Sequence, residues 1–326
     1  MNKVVIGMDR SGSFRVYLAI TTDLAEEGRK VHNTTPVATA ALGRVLTGAG
    51  LMGLMLKNEK DKLTVQFKGD GPAGEILATA SGLGRVKGYI SNGDIDLPLR
   101  ADNKLDVGRA VGVGTLTVIK DQGLKEPYVG RINLVSGEIA EDLTAYFFLS
   151  EQQSTSVALG VKIDTDGSVL ASGGMIIQVL PDALDESIDA LEALLQRIPP
   201  ISSLVEELTT DIGPKTEESV CDELLNRIFE SMPQEFEVKA MEYRDIKWDC
   251  DCSVARLEQV LLSLGEDELR DIAEEDQEAE LTCQFCTKRY HFDKEHLDML
   301  LRVAVRAKEI KEQRKKQKEN NDNNLE

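Results

Sequence analysis

The first half of the chain breaks into short apolar runs punctuated by glycine, asparagine or aspartate. "KVVIGMD", "FRVYLAIT", "KLTVQFKG", "GRVKGYIS", "VGVGTLTVIKD", "YVGRINLV" and "GMIIQVLP" are rich in Val, Ile, Phe and Tyr and read as strands. Two stretches carry helical patterning instead. "TTPVATAALGRVLTGAGLMGLMLK" has Thr34 or Thr35 as a cap, Pro36 in the first turn and an Ala/Leu-rich body, and "IAEDLTAYFFLSEQ" has apolar residues at helical spacing. Strands and helices do not alternate regularly, so the pattern predicts an α+β domain over 1–180 rather than a doubly wound sheet.

After Pro181 the pattern changes. In "PDALDESIDALEALLQRI", Leu184, Ile188, Leu191, Leu194, Leu195 and Ile198 form one helical stripe, with Asp182, Asp185 and Glu186 at the favourable N-terminal end. "IPP" stops this helix. "SSLVEEL" and "EESVCDELLNRIFESM" predict two more. Further on, "SVARLEQVLLSLGEDELRDIAEE" reads as two short helices broken at Gly265, with Ser253 as a cap.

Charge sharpens these boundaries. The chain has 326 residues and a net charge of −19. Residues 1–180 hold 19 Lys and Arg against 20 Asp and Glu, residues 181–301 hold 11 against 32, and residues 302–326 hold 8 against 5. The expected organisation is an N-terminal core domain (1–180), an acidic helical linker (181–240), a small cysteine-bearing domain (241–301) and a charged tail (302–326) that begins as a helix and ends in disorder. The linker has four cationic residues against fifteen acidic ones. Its apolar stripe is held down only by docking on something else, and undocking favours an open, mobile state.

Composition excludes several function classes. Acidity argues against a general nucleic-acid binder or a polybasic membrane anchor, and 5% aromatics against a base-stacking platform. The first apolar run, Val4 to Met8, is too short for a signal peptide, and no apolar stretch approaches eighteen residues. A soluble, cytoplasmic protein is expected. In that reducing compartment, clustered cysteines serve as metal ligands or redox switches more often than as structural disulfides.

Four of the five cysteines cluster, in "KWDCDCSVARL" and "ELTCQFCTKRY". Cys250-x-Cys252 and Cys283-x-x-Cys286 offer two sulfurs each, and tetrahedral zinc takes four. One zinc on Cys250, Cys252, Cys283 and Cys286 is the reading of these residues. Bound zinc keeps sulfurs deprotonated and open to an oxidant, and neighbouring oxidised cysteines capture one another as disulfides. A competing register, Cys283-x2-Cys286-x4-His291-x4-His296, has zinc-knuckle spacing and would make a nucleic-acid or regulatory module, leaving Cys250 and Cys252 idle. His291 and His296 read more simply as exposed loop or helix histidines, and Cys221 as a buried helical cysteine.

Catalytic signatures are weak, and no enzyme activity is expected. Gly48-x-Gly50-x-x-Gly53, with Asp70 beyond, matches a dinucleotide fingerprint but follows a helix rather than a strand, and reads as small residues allowing close packing. "GDGPAGE" lacks the lysine of a phosphate loop and reads as a turn. "DTDGS" at Asp164 starts like a calcium loop but lacks its glutamate. His32, the only histidine in 1–180, has no nucleophile motif beside it.

The paired cysteines, together with "TTPVATAALGRVL", "FKGDGPAGEILATA", "GEIAEDLTAYFFLSEQQ" and "VALGVKIDTDGSVLASGGMIIQVLP", make the chain resemble the redox-regulated 33 kilodalton heat-shock chaperonins of bacteria, over about 300 residues. The tail after Arg302 departs from that pattern. The resemblance implies an α+β substrate-binding domain, a linker wrapped over it and a C-terminal zinc domain. It implies zinc on the four cysteines in the reduced form. On oxidation it implies disulfides Cys250–Cys252 and Cys283–Cys286, zinc release, and unfolding of zinc domain and linker. It further implies ATP-independent binding of unfolding client proteins, commonly as a homodimer.

Overall fold

The computed structural model describes residues 1–210 and 216–323, which form two compact units, Met1–Asp249 and Cys250–Glu326. Linker residues 211–215 and tail residues 324–326 lie outside the described residues.

The first unit opens with β1 (Asn2–Asp9) and β2 (Phe14–Thr21), then α1 (Thr22–His32) and α2 (Pro36–Leu54). A meander follows: β3 (Lys62–Gly69), β4 (Glu75–Ser81) and β5 (Arg85–Ile90), then α3 (Val107–Val111), β6 (Gly114–Asp121) and β7 (Tyr128–Asn133). Next come α4 (Ala140–Leu149), β8 (Thr155–Ile163), β9 (Val169–Val179), α5 (Asp185–Leu195), α6 (Ile201–Thr210) and α7 (Glu217–Phe229). β10 (Val238–Asp245) and β11 (Lys247–Trp248) close the unit. One antiparallel sheet runs β10-β1-β2-β9-β8; a second runs β11-β5-β4-β3-β6-β7, antiparallel except for the short β11–β5 pair.

α2 sits between the sheets, packed on β3, β4 and β5 on one side and on β2, β8 and β9 on the other. This explains its composition: it has no solvent face, and all but two of its residues are buried. Its glycines let neighbours approach. A Cβ on Gly50 would lie 2.3 Å from Ile246 Cδ1, and one on Gly53 would lie 2.7 Å from Ala80 Cβ. The small-residue reading of the glycine motif therefore holds, and no strand-to-helix phosphate turn exists there. Pro36 occupies the first turn as expected, after Thr35 as N-cap. The Thr35 hydroxyl bonds instead to the carbonyls of Gly93 and Ile95, stitching the helix start to a loop. By length and composition α2 also qualifies as a membrane span, which corrects the expectation that no apolar stretch approaches eighteen residues; its qualifying window is 94% buried within the fold.

The opposite face of the first sheet, including Val16, Leu18, Ile20, Met175 and Ile177, is covered by α5, α6 and α7. Leu191, Leu194, Ile201, Leu204, Val205 and Leu224 enter that core. Of the stripe expected on α5, Leu184 departs: it is the N-cap residue, exposed to solvent. β9 is buried by α2 on one face and α6 on the other, so its sequence reads as a continuous apolar run.

Several elements escaped the sequence reading. α1 places only Leu24, Ala25 and Gly28 inward, too few for a visible stripe. β4 alternates correctly, but two of its three inward residues are Ala78 and Ala80. β10 is mostly polar and is placed by pairing with β1.

The second unit contains α8 (Val254–Leu264), α9 (Glu266–Asp271), the hairpin β12 (Ala279–Thr282) and β13 (Arg289–Phe292), and α10 (Lys294–Asn323). The helix pair broken at Gly265 is as expected, since Gly265 takes φ 99°, a conformation open to glycine. The Ser253 hydroxyl accepts the Arg256 N–H and caps α8. α10 runs through Arg302 into the tail.

Candidate metal centre

Two backbone devices aim the four thiols at one point. Cys250 and Cys252 lie in the extended segment that ends at the Ser253 cap, so the helix start sets where the first pair points. Cys283 and Cys286 sit in the β12–β13 turn. There Cys283 N–H bonds to Lys288 O (2.9 Å), Thr287 N–H bonds to Cys283 O (2.8 Å), and Thr287 takes φ 57°. The turn brings both sulfurs to the cluster.

All four Sγ atoms lie within 4.8 Å of one another. Cys250 Sγ is 3.7 Å from Cys283 Sγ, and Cys252 Sγ is 3.3 Å from Cys286 Sγ, so each pair reaches the other. Four sulfurs at ~2.3 Å from a common centre in tetrahedral geometry would be about 3.8 Å apart. The cluster fits a single metal ion, and among the described residues no carboxylate or imidazole shares it. Cys283 is buried and the other three are half-buried.

The knuckle histidines stand elsewhere. His291 is exposed on β13, 3.9 Å from Glu278, a strand position rather than the expected loop or helix. His296, on α10, holds Glu258 at 2.7 Å and is half-buried, not exposed. Cys221 lies in α7, 1% exposed, and burial pushes its thiol up to about 12, as an inert core cysteine should behave.

One residue absent from the sequence reading stands against the cluster. Tyr290, buried on β13, has its hydroxyl 3.1 Å from Cys252 Sγ, with Lys288 Nζ 5.1 Å from its ring centre. Burial opposes ionisation of Cys252, but hydrogen bonds with the Tyr290 hydroxyl and the other thiols outweigh it and lower its pKa. Burial raises that of Cys250. The only signal for Tyr290 was its place four residues after Cys286, which says nothing of direction until the hairpin register is known.

The other sequence candidates are turns. Asp164 closes the β8–β9 hairpin, where its N–H bonds to Ser168 O and Asp166 Oδ1 accepts from Ser168. Asp70, in the β3–β4 turn, accepts the Val113 N–H at 2.7 Å. His32 Nε2 lies 2.9 Å from Gly88 O.

Comparison with known proteins finds relatives over nearly the whole chain. The family model described as Hsp33 protein matches residues 2–293. The 33 kDa chaperonin of Alkaliphilus oremlandii is 47% identical over 300 residues, covering 92% of this chain and 96% of that protein. That of Clostridium perfringens is 42% identical over 322 residues, covering 98% and 97%. The crystal structure of the 33 kDa chaperonin (heat shock protein 33 homolog) from Thermotoga maritima superposes with a TM-score of 0.79 at 34% identity, covering 93% of this chain and 99% of that one.

Proposed function

The chain belongs to the Hsp33 family of chaperones, and from that premise we propose that it is a cytoplasmic, redox-regulated, ATP-independent holdase that acts without enzymatic turnover. Its ligands are Cys250, Cys252, Cys283 and Cys286, and the ion they take is zinc, because an all-thiolate tetrahedral set is a structural zinc set. Bound zinc supplies one thing here: it holds four sulfurs as thiolates and cross-links two distant segments.

The cluster matters because the second unit has little else. Among the described residues its core contains eight buried ones, one of them Cys283 itself. Apparent zinc binding in small folds is worth about 10–16 kcal/mol, against about 5–15 kcal/mol for the stability of a whole domain. A thiolate that attacks hydrogen peroxide becomes a sulfenic acid and releases hydroxide. The neighbouring thiolate then displaces a second hydroxide to form the disulfide. Two electrons leave the cysteine pair per peroxide, and two protons from solvent turn the hydroxides into water. Pairing Cys250 with Cys252 and Cys283 with Cys286 consumes two peroxides and all four ligands. The second unit then loses its cross-link and unfolds, and α5, α6 and α7, acidic and marginally self-sufficient, leave the sheet face under Val16, Leu18 and Met175. That apolar face receives unfolding clients, in a homodimer of the oxidised chain.

The observation that carries this reading is the convergence of four thiols in a unit with so small a core. Zinc content and free thiols, measured before and after peroxide at raised temperature, test it beside an aggregation assay with a heat-labile client. One zinc and four protected thiolates should become no zinc and two disulfides, with protection appearing in step. Equal protection by the reduced zinc form would refute the switch.

A further inference from the structure

β8 is the outermost strand of the first sheet and pairs with β9 on one side only. On the other side the Val157 N–H bonds to Thr144 Oγ1 at 3.2 Å. By strand alternation the main-chain groups of Leu159 and Val161 point the same way. Among the described residues these have no partner there. A buried or half-buried main-chain donor without a partner is uncommon, and a row of them along an edge is a template for another strand.

A groove of about 1000 Å³ runs along this edge. Segment 99–105 lines one side and segment 198–203, leading into α6, lines the other. The cations of its lining have acidic partners: Arg44 pairs with Glu138, Arg100 with Glu138 and Asp102, Lys104 with Asp102, and Lys162 with Glu206. Leu99, Leu195 and Ile198 line it beside polar residues, Asn103, Asp164, Ser202 and Ser203 among them.

We propose that this groove takes an extended segment of an unfolding polypeptide, added to the sheet as a strand beside β8. The chemistry selects that occupant. Main-chain donors and acceptors match any sequence in extended form, and the mixed apolar and polar lining imposes no single side-chain pattern. Paired rim charges favour neither sign. The inference rests on the holdase reading and adds where and how the client is gripped. It also gives the linker a direct part: Ser202 lies so close over the middle of β8 that a Cβ on Gly160 would meet its nitrogen at 2.9 Å. Docked α6 crowds the strand, and its release opens the full edge.

The test is amide-resolved hydrogen exchange on the full-length protein oxidised with peroxide, with and without reduced, carboxymethylated α-lactalbumin as a permanently unfolded probe. With the probe bound, the amides of Leu159 and Val161 should slow about tenfold or more, whereas those of Ala158 and Gly160, already paired with β9, should not change. Bound probe without that slowing overturns the groove and leaves the holdase reading intact. Slowing in the oxidised protein alone, rising with its concentration, assigns the edge to a second copy and overturns the client. No probe binding at all defeats the holdase reading and the groove with it. As a second measurement, Leu159→Pro removes an outward N–H without breaking the β8–β9 ladder, and Leu159→Ala controls for the side chain. The proline variant should bind the probe about fivefold more weakly than the alanine variant; equal binding counts against the groove.

Discussion

The two units are stabilised by different means. In Met1–Asp249, α2 is buried between two sheets, and a second apolar layer lies under the linker helices. In Cys250–Glu326 the buried set is small, and four half-buried or buried thiols stand at its centre. Dispersion and burial are spread over many residues in the first unit, so no single chemical event dissolves it. The second sets four clustered, oxidisable thiols against a small buried set, and the proposed switch rests on that difference.

The sharpest way to break this contrast is to remove the metal. Chelation under reducing conditions, or Cys283→Ser, should abolish slow amide exchange throughout the second unit, a loss on the scale of about 10–16 kcal/mol of binding energy. Exchange in β3, β4 and β6 should be unaffected. Persistent protection in 254–300 would show that the small core suffices alone. Leu46→Ala, at a fully buried site of α2, makes the reciprocal test. It should cost the first unit about 2–5 kcal/mol in denaturant unfolding while leaving metal stoichiometry unchanged.

Smaller perturbations refine the boundary between the two regimes. Val205→Thr keeps the shape of a fully buried α6 residue but buries a hydroxyl, costing about 1–3 kcal/mol of linker docking. Partial holding of a client without oxidant is the expected result, read by light scattering. Tyr290→Phe deletes one hydrogen bond to Cys252, about 1 kcal/mol, and should make the metal about fivefold easier for a competing chelator to withdraw, with circular dichroism unchanged.

A perturbation confined to the first unit lies in acid. The hydrogen bond from Arg29, opposed by burial and aided by the Val169 N–H, depresses the Glu26 carboxyl from 4.5 to about 2. Its stabilisation is complete above the unfolded value and is lost as pH falls from about 4.5 toward 2. Glu26→Gln should flatten that part of the first unit's pH–stability curve and leave the second unit unaffected.

Patterning alone revealed most long elements. α2, α4, the linker helices and the Gly265 break follow from local periodicity and capping chemistry, which short windows of chain contain. Among the elements it missed, α1 and β4 carry too little apolar contrast of their own, and the mostly polar β10 is placed by β1, far along the chain. The metal site shows the same division. Which cysteines cluster was legible because thiol pairs at short spacing are rare and chemically specific. That the Tyr290 hydroxyl reaches Cys252 depends on hairpin register.

By itself, then, the sequence determined the α+β class, the acidity of the stretch after Pro181, the paired thiols and the family to which they point, because composition, periodicity and motif spacing are properties of neighbouring residues. Only the tertiary structure decided that an apolar nineteen-residue helix lies between two sheets rather than in a lipid, that His291 and His296 stand apart from the thiols, and that β8 borders an open groove. Each of these depends on which distant segments meet, and burial and hydrogen-bond partners are settled only when they do.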